Sequence, residues 1–233
     1  MVLQYAIKIS EDYEPEELDF LLGIISDERK KRINSFIFRD DKLRSLFTEV
    51  LLRYSLQAHY GLKNKDIVFS YNEYGKPFLE NANHIYFNAS HSSDWVICGI
   101  GNVPIGIDIE VINKRNMDLA KRFYTEEEYD FILKQPSEAQ ACSFCELWVL
   151  KESYVKAIGK GMNIPLDSFR FDQTDNMIKF YINNQLSNSY VFMKGQLDEK
   201  HCTAICIPNF SNNSIIKEIV VLDRDLLIKS FRK

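Results

Sequence analysis

Apolar residues along this chain recur with two periods, and the order in which the periods appear occurs twice. A strand-like run, "QYAIKI" (4–9), opens the first half. Helical stretches follow and end in "RSLFTEVLLRYSLQAHYG" (44–61), whose apolar positions keep helical spacing and stop at Gly61, a residue suited to closing a helix. Three further strand-like runs come next: "DIVFSY", "HIYFNAS" and "WVICGIG". The second half opens with "PIGIDIEVI" (104–112), again a strand, and its helical stretches end in "QACSFCELWVLKESYVKAIG" (140–159), closed by Gly159. Then come "SFRFD", "MIKFYI", "SYVFMKG" and "CTAICI". Strand, helices, long helix and meander, repeated at an offset of roughly 100 residues, predict a duplicated α+β unit. Residue identity between the halves is slight, so the repeat lies in the order of elements. We read an N-terminal α+β lobe at 1–103 and a C-terminal one at 104–233, each a long helix on a small antiparallel sheet. The natural cleft runs between them. A last strand, "EIVVLD", and a short basic tail complete the chain, and no linker separates the halves.

Within "GIDIE" (106–110) apolar and acidic residues alternate, as in a strand with one buried face. Asp108 and Glu110 therefore point the same way, about 7 Å apart, and repel unless a cation lies between them. A third acid, Glu152, shares a helix face with Trp148 and Lys156, four residues either side, and a carboxylate on so apolar a face needs a partner. Taken singly, the pair is also what a solvated strand face presents, and Glu152–Lys156 is also an ordinary helix-surface pair. Together the three acids suit part of the oxygen shell of Mg²⁺, with Mn²⁺ as the alternative; the absence of a His/Cys set disfavours zinc.

Cationic and hydrogen-bonding groups accompany the acids. "ERKKRINSF" sets Arg29 and Arg32 one helical turn apart, and "DDKLRSLF" adds Arg44 and Ser45. "YGKPF" holds Lys76 in a turn beside a strand start, and "FNASHSSDW" ends a strand with Ser90, His91 and Ser92. A basic run is commonly a solvated face. In a chain of net charge −4, with 33 acidic against 29 basic residues, it also marks a single anionic ligand in preference to a nucleic-acid track.

Composition sets the remaining bounds. The 233 residues are 45% hydrophobic and 13% aromatic, as in an ordered globular protein, and no apolar run reaches membrane-spanning length. The N-terminus lacks the basic start and long apolar core of a signal peptide. Five cysteines, scattered through core-like segments, read as buried thiols of a reducing cytoplasm, "CSFC" (142–145) included.

Three ordered motifs carry a resemblance: "SHS", "PIGIDIE" and "LWVLKESYVKAIGKGM", the last of the form W-x-x-K-E-S/A-x-x-K-x-x-G-x-G. Over the stretch from "ERKKRINSF" to "PLDSFRF" the chain resembles the phosphopantetheinyl transferases of the surfactin-synthetase-activating type. That resemblance implies a pseudo-dimer of two similar α+β lobes with the active site between them. It implies Mg²⁺-dependent transfer of 4′-phosphopantetheine from coenzyme A to a serine of an acyl or peptidyl carrier protein, with adenosine 3′,5′-bisphosphate released, in the service of fatty-acid, polyketide or non-ribosomal peptide synthesis.

The family's metal acids fall on Asp108, Glu110 and Glu152, its diphosphate lysine on Lys156, its serine–histidine pair on Ser90 and His91, and its turn lysine on Lys76. Lysines near the 3′-phosphate fall on Arg29 and Arg32, a threonine on Ser45, and a glycine after "SHS" on Ser93. The coenzyme A set thus comprises Arg29, Arg32, Arg44, Ser45, Lys76, Ser90, His91, Asp108 and Lys156, with Glu152 as base and Lys156 and His91 assisting. The carrier is expected near 113–125, "NKRNMDLAKRFYT", whose basic and apolar residues suit an acidic helical partner or make an ordinary amphipathic helix. A monomer is expected. The competing readings are a non-catalytic module that binds coenzyme A or a carrier, and a metal-dependent phosphoesterase.

Overall fold

A computed structural model of the chain describes all residues except 10–11, 114–119, 174–176, 211–214 and 233. The first lobe begins with β1 (Val2–Lys8) and the helices α1 (Pro15–Ile24), α2 (Asp27–Ser35) and α3 (Arg39–Tyr60). A small hairpin, β2 (Phe69–Tyr71) and β3 (Pro77–Leu79), precedes β4 (Tyr86–Ser92) and β5 (Trp95–Gly101). The second lobe repeats this order. It contains β6 (Gly106–Val111), α4 (Ala120–Phe123), α5 (Glu126–Leu133) and α6 (Gln140–Ile158), then β7 (Phe169–Asp172), β8 (Lys179–Ile182), β9 (Gln185–Leu186), β10 (Tyr190–Asp198) and β11 (His201–Pro208). The chain ends in β12 (Ile216–Val221) and α7 (Arg224–Phe231).

The predicted duplication is present in the topology. β5 lies between β1 and β4, and β11 lies between β6 and β10, all antiparallel. α3 and α6 both close on a left-handed glycine, Gly61 at φ 64° and Gly159 at φ 77°. Strand alternation distributes the apolar residues over three cores. Tyr5, Ile7, Val96 and Ile100 face α3, while Cys202, Ala204 and Cys206 face α6. Ala6, Ile97, Ile107, Ile109, Ile205 and Ile207 fill the space between the two sheets. The layers therefore run helix, sheet, sheet, helix, and each buried isoleucine contributes about 1.5–3 kcal/mol. All five cysteines are free thiols, four of them buried. No helix among the described residues is long and apolar enough to cross a membrane.

The last segment departs from a simple division of the chain at 103/104. β12 pairs in parallel with β1, and Leu227 and Ile228 of α7 join the core of the first lobe. Residues 216–231 thus return to the N-terminal lobe. The physical reason is the open edge of β1, whose unpaired backbone groups are satisfied by a strand from elsewhere in the chain. Alternation in "EIVVLD" marks a strand without naming its partner. β3 and β9, two or three residues long, are too short for alternation to register.

β6 and α6 touch backbone to backbone. A Cβ at Gly106 would lie 1.8 Å from the Ser153 carbonyl oxygen and 2.2 Å from the Ala157 nitrogen. Gly106→Ala is therefore expected to push helix from strand and to lower stability by about 3 kcal/mol. Urea unfolding checks this, and an unchanged midpoint would refute the close approach.

Candidate functional site between the lobes

β4 is the edge of the first sheet and β6 the edge of the second. They are joined by side chains. Asn88, Ser90 and Ser92 alternate along β4 and share one face. The Ile107 amide donates to Asn88 Oδ1 (2.9 Å), and Ser90 Oγ donates to Asp108 Oδ1 (2.8 Å). Ser92 Oγ donates to Glu110 Oε2 (2.9 Å) and accepts from the Val111 amide (3.1 Å). Because Ile107 and Ile109 turn into the core between the sheets, Asp108 and Glu110 face the other way, towards α6. Glu152 and Lys156, one turn apart on α6, reach the same cleft. Lys156 Nζ lies 2.6 Å from Asp108 Oδ1 and 2.9 Å from Ser90 Oγ.

The acids have too little positive charge among them. Asp108 is 2% exposed, and its second oxygen, Oδ2, has no hydrogen-bond partner among the described residues. Burial, reinforced by Asp108, raises the Glu110 carboxyl to about 7 against the opposing pull of Ser92 and Lys156. Burial and Asp108 also raise Glu152. Among the described residues no three His, Cys, Asp or Glu side chains form a ready-made metal shell. The convergence of three carboxylates on one point is thus not preformed; the Lys156 ammonium is drawn onto Asp108 instead. The donor set still fits a hard divalent cation, since an orphaned carboxylate oxygen and two carboxyls of raised pKa are what such an ion neutralises.

All the candidate residues except Arg44 and Lys76 line one cleft of about 450 Å³. At its far end Arg29 and Arg32 project from α2 beside Ser45 of α3. Arg29 Nε pairs with Glu49 at 3.2 Å, and Arg32 has no ion-pair partner among the described residues. The His91 ring is exposed to the cleft, where loss of water and the cations Arg44, Lys156 and Arg32 lower its pKa to about 4, so the imidazole stands neutral. Arg44 turns aside, pairing with Asp41 (2.7 Å) and donating to the Ser93 carbonyl (2.8 Å). Ser93 takes a left-handed backbone, at φ 52°, a conformation that glycine adopts most readily. Lys76 is also occupied, its ammonium donating to the carbonyls of Ile105, Lys156 and Ala157.

Comparison with known proteins bears on this geometry. Residues 104–206 match the model of the 4′-phosphopantetheinyl transferase superfamily, and residues 12–100 match that of the 4′-phosphopantetheinyl transferase N-terminal region. The 4′-phosphopantetheinyl transferase gsp of Aneurinibacillus migulanus is 35% identical over 93% of this chain and 91% of its own. The chain belongs to the 4′-phosphopantetheinyl transferase family. The transferase Sfp of Bacillus subtilis strain 168 is likewise 35% identical, over 87% of this chain and 90% of its own. The transferase ffp of Bacillus subtilis is 38% identical over 71% and 74%. This chain is accordingly a 4′-phosphopantetheinyl transferase, an α+β enzyme of two similar lobes.

The structure also gives partners to residues that the sequence left without a role. Ser92, singled out only as a hydrogen-bonding group, holds Glu110, and the period-two spacing of Asn88, Ser90 and Ser92 is the signal that finds the whole seam. Lys151, fully buried, pairs with the equally buried Glu128 at 2.8 Å and donates to the carbonyls of Leu166 and Phe169. It ties α6 to α5 and to the segment 166–169. Of the expected carrier dock, residues 114–119 lie outside the described residues. Tyr124 is buried with its hydroxyl on the Phe144 carbonyl, and Phe123 packs edge-on to Trp148, so Tyr124 offers no docking surface.

Glu49 is the residue most easily missed, a glutamate 1% exposed on the apolar run "SLFTEVLL". It accepts from the Ser26 amide and hydroxyl, from Arg29 and from Arg53, fixing the start of α2 and the direction of Arg29. Glu49→Ala would leave the buried Arg53 without its counter-charge, held only by Asn64, with an expected loss of about 3 kcal/mol in chemical denaturation. An unaltered transition would remove Glu49 from this role.

Proposed function

We propose that this transferase moves 4′-phosphopantetheine from coenzyme A to a serine hydroxyl of an acyl or peptidyl carrier protein and releases adenosine 3′,5′-bisphosphate. What carries the reading is the polarity of one cleft, with arginines at one end and three acids around a single ammonium at the other. Coenzyme A has matching ends: a 3′-phosphate for Arg29, Arg32 and Ser45, and a diphosphate to lie between His91 and Lys156. Arginine suits the first task because its planar fork meets phosphate oxygens two at a time.

Asp108, Glu110 and Glu152 would hold Mg²⁺, or Mn²⁺ in its place. When bound, the ion supplies positive charge to diphosphate oxygens as the bond to the leaving group breaks. The chain's own groups do the rest, and phosphoryl transfer asks mainly for positioning and electrostatic stabilisation. The carrier serine oxygen forms a bond to the phosphorus that bears pantetheine, and the bond from that phosphorus to the bridging oxygen breaks. Glu152, poised for protonation by its raised pKa, takes the serine proton. Lys156 neutralises the departing bisphosphate. The reading includes a monomer working in the cytoplasm, supported by five free thiols and by a site completed within one chain.

The decisive measurement is the mass of an apo-carrier after incubation with the enzyme, coenzyme A and Mg²⁺. A gain of one phosphopantetheinyl arm is expected, and coenzyme A cleaved equally well without carrier would instead mark a phosphoesterase. Glu152→Gln and Asp108→Ala should each lower transfer by about 10²-fold or more while the far-ultraviolet spectrum stays unchanged. Wild-type rates in either variant would defeat the assignment.

The acids also set a pH dependence. Glu110 titrates near 7, so it is largely protonated at pH 6 and ionised at pH 8, and only the ionised form binds a metal. Added Mg²⁺ should therefore raise the melting temperature more at pH 8 than at pH 6. Equal shifts at both pH values would place the ion elsewhere.

A further inference from the structure

Lys76 stands on the turn between β2 and β3, in the first lobe, yet its ammonium ends in the second. Three protons meet three carbonyl oxygens: those of Ile105 (3.0 Å), Ala157 (3.1 Å) and Lys156. These acceptors belong to two elements. Ile105 leads directly into β6, which carries Asp108 and Glu110. Lys156 and Ala157 form the last turn of α6, where carbonyls lack partners within the helix and the dipole favours a cation.

The same turn makes a second attachment. Asn72 Nδ2 donates to the Gly159 carbonyl (3.0 Å), and Asn72 Oδ1 accepts from the amides of Tyr74 (3.0 Å) and Lys76 (2.8 Å). Gly159 has room for no side chain here, since a Cβ would lie 2.6 Å from Lys76 Cδ. Four carbonyls around the junction of β6 and α6 are thus satisfied from one turn of the other lobe. Tyr71, Gly75 and Pro77, on the same hairpin, line the cleft, whereas the Lys76 ammonium is taken up by the three carbonyls.

We propose that Lys76 is a positioning residue that pins the end of α6 to the start of β6, and so fixes where Lys156 and Glu152 stand in the cleft, instead of binding the diphosphate itself. Lys156 is held at both ends under this arrangement. Its carbonyl is taken by Lys76, and its ammonium reaches forward to Asp108 and Ser90. Loss of the pin frees the helix end and with it the placing of Lys156 and Glu152, while no side chain that lines the cleft is removed. The inference rests on the proposed transfer reaction for its kinetic consequence and on geometry alone for its structural one.

The experiment uses Lys76→Met in the full chain, with two readouts. Amide hydrogen exchange should lose at least tenfold protection in the last turn of α6, residues 155–159, with α3 unaffected. In carrier loading kcat should fall at least tenfold while KM for coenzyme A stays within twofold of wild type. Unchanged exchange at 155–159 overturns the proposal. So does a tenfold rise in KM at constant kcat, the mark of a diphosphate ligand. Should Lys76→Met fail to fold, Asn72→Ala decides by loosening the same turn by a smaller factor; protection equal to wild type there overturns the proposal. If the wild-type chain loads no carrier, the transfer reading fails, and the exchange result still judges the pin.

Discussion

Two sheet edges that meet through side chains are the constraint on which the rest of this structure depends. β4 and β6 run beside one another, but their rungs are Asn88, Ser90 and Ser92 reaching to the Ile107 amide, Asp108 and Glu110. A continuous backbone ladder would close the lobes into one sheet and leave no cleft. Side-chain rungs are longer, and they spend carboxylate acceptors that would otherwise carry bare charge in a half-buried place. The seam is therefore also what makes it tolerable to gather three acids. Each serine hydroxyl offsets part of the desolvation that burial imposes, and the orphaned Asp108 oxygen marks where that compensation stops.

The positions of the site residues follow from local rules acting on that seam. Period-two alternation turns Asp108 and Glu110 to the helix side because Ile107 and Ile109 turn to the other sheet. Gly106 lets α6 come within backbone contact, and four residues of helix set Glu152 and Lys156 on one face. At the opposite end, Glu49 gives Arg29 a fixed direction before any ligand arrives. A cation aimed in advance loses less side-chain entropy on binding phosphate than a free one. Arg32, without such a partner, supplies charge with less direction.

Much of this was legible in the order of residues, and for identifiable reasons. The duplicated α+β order, the capping glycines and the face shared by Asp108 and Glu110 are all periodicities, and periodicity is what a single sequence displays. The placing of Lys76, Glu49, Lys151 and β12 was not legible, because each depends on a partner far along the chain. Lys76 illustrates the gap. Its turn reads correctly from "YGKPF", but whether its ammonium meets a ligand or a helix end depends on Ile105 and Ala157, to which no local pattern connects it. Arg44 differs from Arg29 in the same way: both lie in basic stretches, and only the fold turns one to the cleft and the other to Asp41.

Duplication also raises the question of why one site exists and not two. Two copies of the same three-stranded arrangement offer two comparable places for a strand edge of one to face the other. The first, β4 with β6, carries the acids. For the second, the counterpart of β6 is β1, whose helix-facing residues are Leu3, Tyr5 and Ile7, packed against the core on α3. There are no carboxylates there to gather, and β12 occupies the free edge of β1 by parallel pairing. The apolar content of β1 and the return of the C-terminal segment thus act together. One removes the chemistry from the second seam, and the other satisfies its backbone, so a nearly symmetric chain is committed to a single cleft.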